Sequence, residues 1–221
     1  MAADRLTWLG HATVLLELGG ARFVTDPVLR ARVAHLRREV PRPRPVGRLD
    51  GVLISHGHHD HLDLPSLRRL DRSAPVLAPP DSSWALRLGG HAVRTMAPGD
   101  EVELAGVRVR AVRAAHDGRR VPLGAATSAI GFVAAGVYFA GDTEPFPEMA
   151  ELAGTREAAE ALAMLRPTLA VPIHWGTYRR IGHRGTGDPA REFVAHAAEL
   201  APDVRIAVLQ PGGSVEITRA V

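Results

Sequence analysis

Short apolar runs dominate the first half of the chain, and Gly, Pro or Asp separates them. This pattern is typical of strands joined by turns. It predicts strands at residues 6–9, 13–18, 22–25, 51–54, 76–78, 107–112, 129–133 and 137–140. Helical periodicity predicts helices at residues 65–70, 82–88, 156–165 and 189–200, the last with Asp188 as its N-cap. Because strands and helices alternate, we expect an α/β fold with helices outside packed sheets.

The length of 221 residues suits a single domain, 1–221, with a sizeable core. All apolar runs fall short of the roughly 18 to 20 residues that a membrane-spanning helix needs, so no membrane span is expected. The N-terminal sequence lacks the pattern of an export signal. The chain has no cysteine, so imidazole and carboxylate groups would have to hold any metal. These features lead us to expect a cytoplasmic protein.

The basic charge says little about function. The formal net charge is +3, and all 27 basic residues are arginine. Seven arginines lie in residues 30–48, but no aromatic residues that could stack on nucleic-acid bases are interleaved with them. Nucleic acid is therefore not the expected partner. We interpret this segment either as a solvated loop or as a loop over the site that attracts anionic substrates.

The strongest chemical signal is a histidine cluster that directly follows a predicted buried strand. The apolar run 51–54 leads into Ser-His-Gly-His-His-Asp-His at residues 55–61. Four histidines within six residues, beside a carboxylate, indicate either a metal site or an affinity tag. The internal position after a strand excludes the tag. The spacing His-x-His-x-Asp-His suits divergent ligands for two neighbouring metals.

These residues resemble the signature of the metallo-β-lactamase fold hydrolases. The four signature positions are His56, His58, Asp60 and His61. Further similarity lies in Trp-Leu-Gly-His-Ala-Thr at 8–13, Thr-Asp-Pro at 25–27 and Pro-Ile-His-Trp-Gly-Thr at 172–177. These segments are most similar to the branch that contains L-ascorbate-6-phosphate lactonase and the N-acyl-phosphatidylethanolamine phospholipase D type proteins. The resemblance implies an αββα sandwich, in which two packed mixed sheets carry helices on their outer faces.

The resemblance also implies three ligands later in the chain. His116 follows the predicted strand 107–112, Asp142 follows the strand 137–140, and His174 closes the apolar run 169–173. The implied set is His56, His58 and His116 for the first metal, and Asp60, His61, Asp142 and His174 for the second, with Asp142 bridging both. His59 is not implied as a ligand.

Such a ligand set implies two divalent ions, with zinc expected first and manganese or iron as alternatives. Two ions about 3.5 to 4 Å apart share a water and lower its pKa toward ~7, which supplies a bridging hydroxide at neutral pH. Asp60 and Asp142 are the expected catalytic carboxylates, since either can steer the proton of the nucleophile. The expected reaction is hydrolysis of a lactone, ester or phosphodiester in a small, anionic substrate.

Three further polar residues are expected near this site. Asp26 stands at a turn beside an early strand, where a carboxylate can orient a ligand imidazole through its second nitrogen. His11 is expected either to contact substrate or only to close the turn after Gly10. His183 follows soon after His174 and is a candidate substrate contact at the rim of the pocket.

The chain departs from its resemblance after Asp142. Similar proteins place another buried strand and a glycine-rich loop here, whereas residues 143–155 alone lead to the helix predicted at 156–165, with room only for a short helix around 146–152. We therefore expect a missing strand and loop, through a deletion or an omitted segment. A shortened pocket keeps open the alternative of a non-catalytic metal-binding scaffold or sensor. A nuclease of the same superfamily is a second alternative, for which the arginine-rich segment 30–48 would have to serve as the basic arm. The oligomeric state stays undecided, although related proteins often associate as homo-oligomers.

Overall fold

The computed structural model describes residues 3–88, 90–114, 116, 128–143, 155–182 and 187–218. The strands are β1 Asp4–Gly10, β2 Thr13–Leu18, β3 Ala21–Thr25, β4 Arg32–Val33, β5 Leu36–Arg38, β6 Gly51–Leu53, β7 Val76–Ala78, β8 Val93–Thr95, β9 Glu101–Leu104, β10 Val107–Arg113, β11 Ile130–Ala134, β12 Val137–Phe139, β13 Leu169–Ala170, β14 Tyr178–Arg180, β15 Arg205–Ile206 and β16 Ser214–Ile217. The helices are α1 Leu64–Leu67, α2 Ser83–Leu88, α3 Thr155–Leu165 and α4 Pro189–Leu200.

The larger sheet contains seven strands in the order β16-β1-β2-β3-β6-β7-β8. It is mixed: β16, β1, β2 and β3 pair antiparallel, whereas β3, β6, β7 and β8 pair parallel. Because β1 and β3 both run antiparallel to β2, the strands β1, β3 and β6 end at the same edge of the sheet. This edge carries the turn at His11, Asp26 and the histidine cluster at residues 55–61.

The smaller sheet contains four strands in the order β12-β11-β10-β9, all paired antiparallel. Burial alternates along β10, with valines and an alanine inward and arginines outward, as one buried face requires. The two sheets pack face to face over a core that includes Trp8, Phe23, Val109 and Phe132. Since β10 and β12 both run antiparallel to β11, they end together, just before His116 and Asp142.

Helices lie on the outside of this sandwich. Residues of α1 and α2, such as Leu67 and Leu86, pack with Val52 and Val76 of the larger sheet. The helices α3 and α4 pack on each other through a separate apolar cluster that contains Leu162 and Phe193. The expected αββα sandwich is therefore confirmed.

A cavity of about 1240 Å³ lies between the sheets and the α3–α4 pair. Its described lining is mostly apolar and includes Leu16, Val133, Ile173 and Phe193. None of the predicted metal ligands belongs to this lining. The lining does include Gly141, Ile173 and Trp175, which are the chain neighbours of Asp142 and His174.

The arginine-rich segment 30–48 is more ordered than a solvated loop. It contains β4 and β5, which pair with β14 in a three-stranded sheet. Arg38 is buried, and its guanidinium donates to the carbonyl oxygens of Leu9 at 2.7 Å and Val28 at 3.3 Å. The solvated-loop interpretation is wrong for this arginine, because main-chain carbonyls take the place of water around its charge.

The longer predicted elements appear within a few residues of their expected bounds. The N-cap of α4 is confirmed, since the Asp188 carboxylate accepts a hydrogen bond from the backbone N–H of Arg191. The strands that the sequence did not predict, listed at the end of this paragraph, are only two to four residues long, which is too short for a clear periodicity. They are β4, β5, β8, β9, β14, β15 and β16.

Two expectations fall on residues 144–154, which lie outside the described ranges. These are the short helix around 146–152 and the missing strand and loop after Asp142. Both stay predictions. Within the described ranges, none of the helices is long and apolar enough to cross a membrane.

Candidate metal centre

The described candidate residues all lie on loops that follow strands. They are His11, Asp26, His56, His58, Asp60, His61, His116, Asp142 and His174. All of these except Asp26 belong to three overlapping groups, and within each group the potential ligand atoms lie within 4.8 Å of one another. His183 falls outside the described residues. The topology thus brings together side chains that are far apart in the sequence.

The first group consists of His56, His58 and His116. His116 Nε2 lies 3.2 Å from His58 Nδ1. His56 is fully buried, and its Nδ1 lies 2.9 Å from the Ser55 hydroxyl, whereas its Nε2 has no hydrogen-bond partner. Burial, together with the neighbouring His61, lowers the pKa of His56 to about 2. His56 is therefore neutral, with one buried nitrogen left over for a ligand.

The second group consists of His11, Asp60, His61 and His174, and Asp142 lies beside the last two. His61 Nε2 lies 3.2 Å from His174 Nε2 and 3.1 Å from Asp142 Oδ2, and His174 Nε2 lies 3.5 Å from Asp142 Oδ1. Burial alone would raise the pKa of Asp142, but His61 and His174 outweigh it and hold this pKa well below its usual value. Asp142 also shares a group with His56 and His61, so it lies between the two histidine sets.

One buried carboxylate, that of Asp26, contacts a histidine of one group directly and a histidine of the other group through Ser55. Asp26 is fully buried, and its Oδ1 accepts the backbone N–H of Ser55 at 2.7 Å. Its Oδ2 accepts the Ser55 hydroxyl at 2.6 Å and lies 2.8 Å from His61 Nδ1. Burial raises the pKa of Asp26, against the opposite effect of His61. Burial also opposes protonation of His61, but Asp142 and Asp26 outweigh it and raise the His61 pKa.

The hydrogen bonds of Asp26 orient one histidine of each group. His61 Nδ1 faces the carboxylate and is its donor, which directs Nε2 toward His174 and Asp142. Ser55 has one hydroxyl proton and gives it to Asp26, so the same oxygen accepts from His56 Nδ1. The remaining Nε2 of His56 then carries a lone pair. This is the arrangement by which outer carboxylates orient metal-binding histidines.

Three site residues have strained backbone conformations. His11, Asp26 and His174 have positive φ angles of 54°, 32° and 68°. Left-handed conformations are uncommon for residues other than glycine and persist only where the surroundings enforce them. The strain at these positions therefore coincides with the candidate site.

The backbone of His11 forms the turn after β1, and its ring contacts other members of the second group. Its Nε2 is 3.1 Å from Asp60 Oδ2, and its ring centroid is 3.9 Å from that of His174. Burial would raise the pKa of Asp60, but the contact with His11 and the neighbouring histidines hold it well below its usual value. The expectation that His11 only closes a turn is therefore too narrow, because its side chain reaches a predicted ligand.

The site opens to solvent on one side. His56 and His61 are fully buried, whereas the side chains of Asp60, Asp142 and His174 are 28%, 27% and 37% exposed. His59 is exposed and belongs to none of the three groups. A substrate would approach from the side of the partly exposed carboxylates.

Sequence reasoning missed the residues that hold the loops in place. Ser55 was part of the cluster motif but had no assigned role, although it links Asp26 to His56. Thr177 accepts the backbone N–H of His11 at 2.7 Å through its hydroxyl. The only sequence signal for Thr177 was its place at the end of the segment 172–177.

Comparison with known proteins identifies the family. Residues 21–155 match the model of the beta-lactamase superfamily domain. A UPF0173 metal-dependent hydrolase from Methanopyrus kandleri is 32% identical over 240 residues, covering 96% of this chain and 99% of the relative. The chain belongs to the UPF0173 metal-dependent hydrolases of the metallo-β-lactamase superfamily. The alignment runs over 240 positions and this UPF0173 hydrolase has 221 residues, so the relative has residues that it lacks.

Two solved structures share the fold of this UPF0173 hydrolase. Igni18, a metallo hydrolase from Ignicoccus hospitalis, has a TM-score of 0.74 at 22% identity and covers 99% of this chain and 100% of its own. An isothiocyanate hydrolase from Delia radicum gut bacteria has a TM-score of 0.73 at 20% identity, with coverages of 96% and 99%. At these identities the likeness concerns the fold alone. The finer resemblance to the lactonase and phospholipase D branch stays a prediction.

Proposed function

We propose that this hydrolase is dinuclear and cleaves a lactone, ester or phosphodiester in a small, anionic substrate. The observation that carries the proposal is the position of Asp142 between two histidine sets. It shares one group with His56 and His61, and its two oxygens lie 3.1 Å and 3.5 Å from His61 and His174. A carboxylate with a histidine set on either side is suited to bridge two metal ions.

The donor set fits divalent metals of the zinc type. Nitrogen ligands about 2.0 to 2.1 Å from a tetrahedral zinc lie about 3.3 Å from each other. The nitrogens of His58 and His116, and those of His61 and His174, are each separated by 3.2 Å. The buried, unpartnered Nε2 of His56 supplies a further lone pair. Zinc is the first choice, while manganese or iron would also accept imidazole and carboxylate ligands.

We assign the ligands as the sequence predicted. His56, His58 and His116 would hold one ion; Asp60, His61 and His174 would hold the other; Asp142 would contact both. Bound metals would lower the pKa of a shared water to about 7 and so supply hydroxide at neutral pH. Asp60 and Asp142, which are partly exposed on the open side, would receive or steer the proton of the attacking water.

Fewer observations support the substrate class than support the metal ligands. The anionic substrate rests on the interpretation of the arginine-rich segment 30–48 as attracting negative charge, and the open side of the site is the expected approach. The apolar cavity is not lined by the ligands and is not assigned to the substrate. Ester, lactone and phosphodiester bonds are all cleaved through attack of hydroxide on a polarised centre, so the assay must include each.

The test is metal content with turnover, on protein purified without an affinity tag. The native chain should hold two equivalents of zinc or manganese, His58→Ala one, and Asp142→Ala fewer than two, with activity on a lactone or a bis-phosphodiester falling in both variants. His35→Ala is the matched control, because His35 is exposed on the turn between β4 and β5. Metal binding without turnover of any substrate would favour a non-catalytic scaffold. A native chain without bound metal would overturn the proposal.

A further inference from the structure

We propose that His11 is a positioning residue that holds Asp60 in place for the second metal, without being a ligand itself. The inference rests on the proposed dinuclear function. It assigns to His11 a role different from the two that the sequence left open, and it connects the strained turn after β1 with the candidate site.

The backbone of His11 is fixed from several directions. Its N–H donates to the Thr177 hydroxyl at 2.7 Å, and its carbonyl accepts from the Trp8 indole at 2.8 Å and from the His174 N–H at 3.0 Å. The preceding Gly10 leaves no room for a larger residue, since a Cβ there would lie 2.7 Å from Thr177 Cγ2 and 2.8 Å from Arg38. The ring of this left-handed histidine is also buried, with its centroid 3.9 Å from that of His174 and 5.3 Å from that of Tyr178, so packing fixes its direction.

The Nε2 atom of the His11 ring faces Asp60. His11 Nε2 lies 3.1 Å from Asp60 Oδ2, whereas the same oxygen lies 3.9 Å from His174 Nε2 and 4.0 Å from His61 Nε2. His61, His174 and Asp142, in contrast, are within 3.1 to 3.5 Å of one another. This oxygen of Asp60 is therefore displaced from the compact ligand set toward His11, at hydrogen-bond distance.

The contact has a clear consequence for metal binding. Carboxylate ligands are commonly hydrogen-bonded by outer residues, and loss of such a partner typically costs about 10- to 100-fold in metal affinity. Asp60 is partly exposed and would otherwise be free to adopt other rotamers. His11 should therefore set the affinity of the second position and leave the first unchanged.

Two substitutions separate positioning from a purely structural role. In His11→Gln the terminal amide reaches the place of Nε2 and can still donate to Asp60. In His11→Asn the side chain is too short to reach, but asparagine tolerates the positive φ better than glutamine does. Positioning predicts that His11→Gln is nearly native, whereas His11→Asn loses about 10- to 100-fold in affinity for one zinc. A purely structural role predicts the opposite order: His11→Gln would lose more zinc affinity than His11→Asn. The thermal stabilities of the two variants would then rank in the same way.

The measurement is stepwise zinc affinity by competition with a chromophoric chelator, in the native chain, both variants and the exposed control His35→Gln. The same pair is repeated in an Asp60→Ala background, where His11→Asn should cause no further loss. Further loss there, together with loss in His11→Gln, would show a ligand and overturn the inference. If His11→Asn binds both zinc ions as tightly as the native chain does, the inference about His11 is overturned and the proposed function is not. A native chain that binds no zinc would overturn both this inference and the proposed function.

Discussion

The two histidine groups are oriented by the same buried carboxylate but differ in everything else that holds them. In the second group, His61 contacts Asp26 directly, and the backbone of His174 donates to the His11 carbonyl. In the first group, His56 is connected to Asp26 only through the Ser55 hydroxyl. Among the described contacts, Asp26 thus reaches the second group directly and the first group through the Ser55 hydroxyl.

The difference teaches that the two metal positions should respond separately to mutation. Asp26 contacts His61 directly and His56 through Ser55. The Ser55 hydroxyl contacts a histidine only in the first group, and the His11 ring contacts Asp60 in the second. A set of single substitutions can therefore remove support from both positions, from one or from neither. Residual zinc affinity then reports which contacts matter.

The largest effect is expected from Asp26→Ala, which should break both groups. The change leaves the backbone N–H and hydroxyl of Ser55 and the Nδ1 of His61 without their buried acceptor. We expect the free energy of unfolding to fall by about 3 to 5 kcal/mol, and both zinc affinities to fall by about 10- to 100-fold. Urea unfolding of the metal-free protein and chelator competition measure the two quantities.

Asp26→Asn serves as the conservative comparison, since its one amide oxygen can still accept from the Ser55 backbone. Its losses should be smaller than those of the alanine variant. If Asp26→Ala binds two zinc ions as tightly as the native chain, the carboxylate does not orient the histidines.

A smaller and more selective effect is expected from Ser55→Ala. Removing the hydroxyl should lower the free energy of unfolding by about 1 to 2 kcal/mol and the affinity of the first zinc by about 10-fold, with the second zinc unaffected. Ser82→Ala is the matched control, because Ser82 Oγ is also buried but has no hydrogen-bond partner among the described residues. Equal losses at the two zinc positions would contradict a relay confined to the first group.

The smallest effect is expected from Arg179→Ala. Arg179 lies on β14 and pairs with Glu39 at 3.1 Å, but its side chain is 42% exposed. Exposed ion pairs contribute about 0 to 1 kcal/mol. Thermal unfolding should shift little, and both zinc affinities should stay native. A clear loss of either affinity would mean that the small sheet β4–β5–β14 supports the site electrostatically.

The sequence was most informative where the signal was local. The residue types and spacing at 55–61 indicated a metal site. Short apolar runs predicted the strand before this cluster and the strand before Asp142. The α/β class could be predicted because longer strands alternate with helices, whereas the αββα sandwich was implied by the family resemblance. Strands of two or three residues, such as β4 and β15, leave no periodicity to detect.

Asp26 was expected to orient a ligand imidazole, but the other supporting contacts could not be predicted, because they join residues with no local relation. His11 meets Asp60 across 49 positions and Thr177 across 166 positions. Arg38 lies in a run of arginines that looks solvated, and only the folded chain shows that backbone carbonyls surround it. The placement of such residues depends on how strand ends converge.

The candidate ligands extend along the chain from His56 to His174, and their supports begin at His11. A set assembled from both sheets exists only when most of the chain is folded, so an ion bound there would favour the native state over the unfolded one. At a free metal concentration about a thousand times the dissociation constant, such linkage contributes about 4 kcal/mol. Metal supply would then govern how long the polypeptide survives proteases, apart from any reaction that it catalyses.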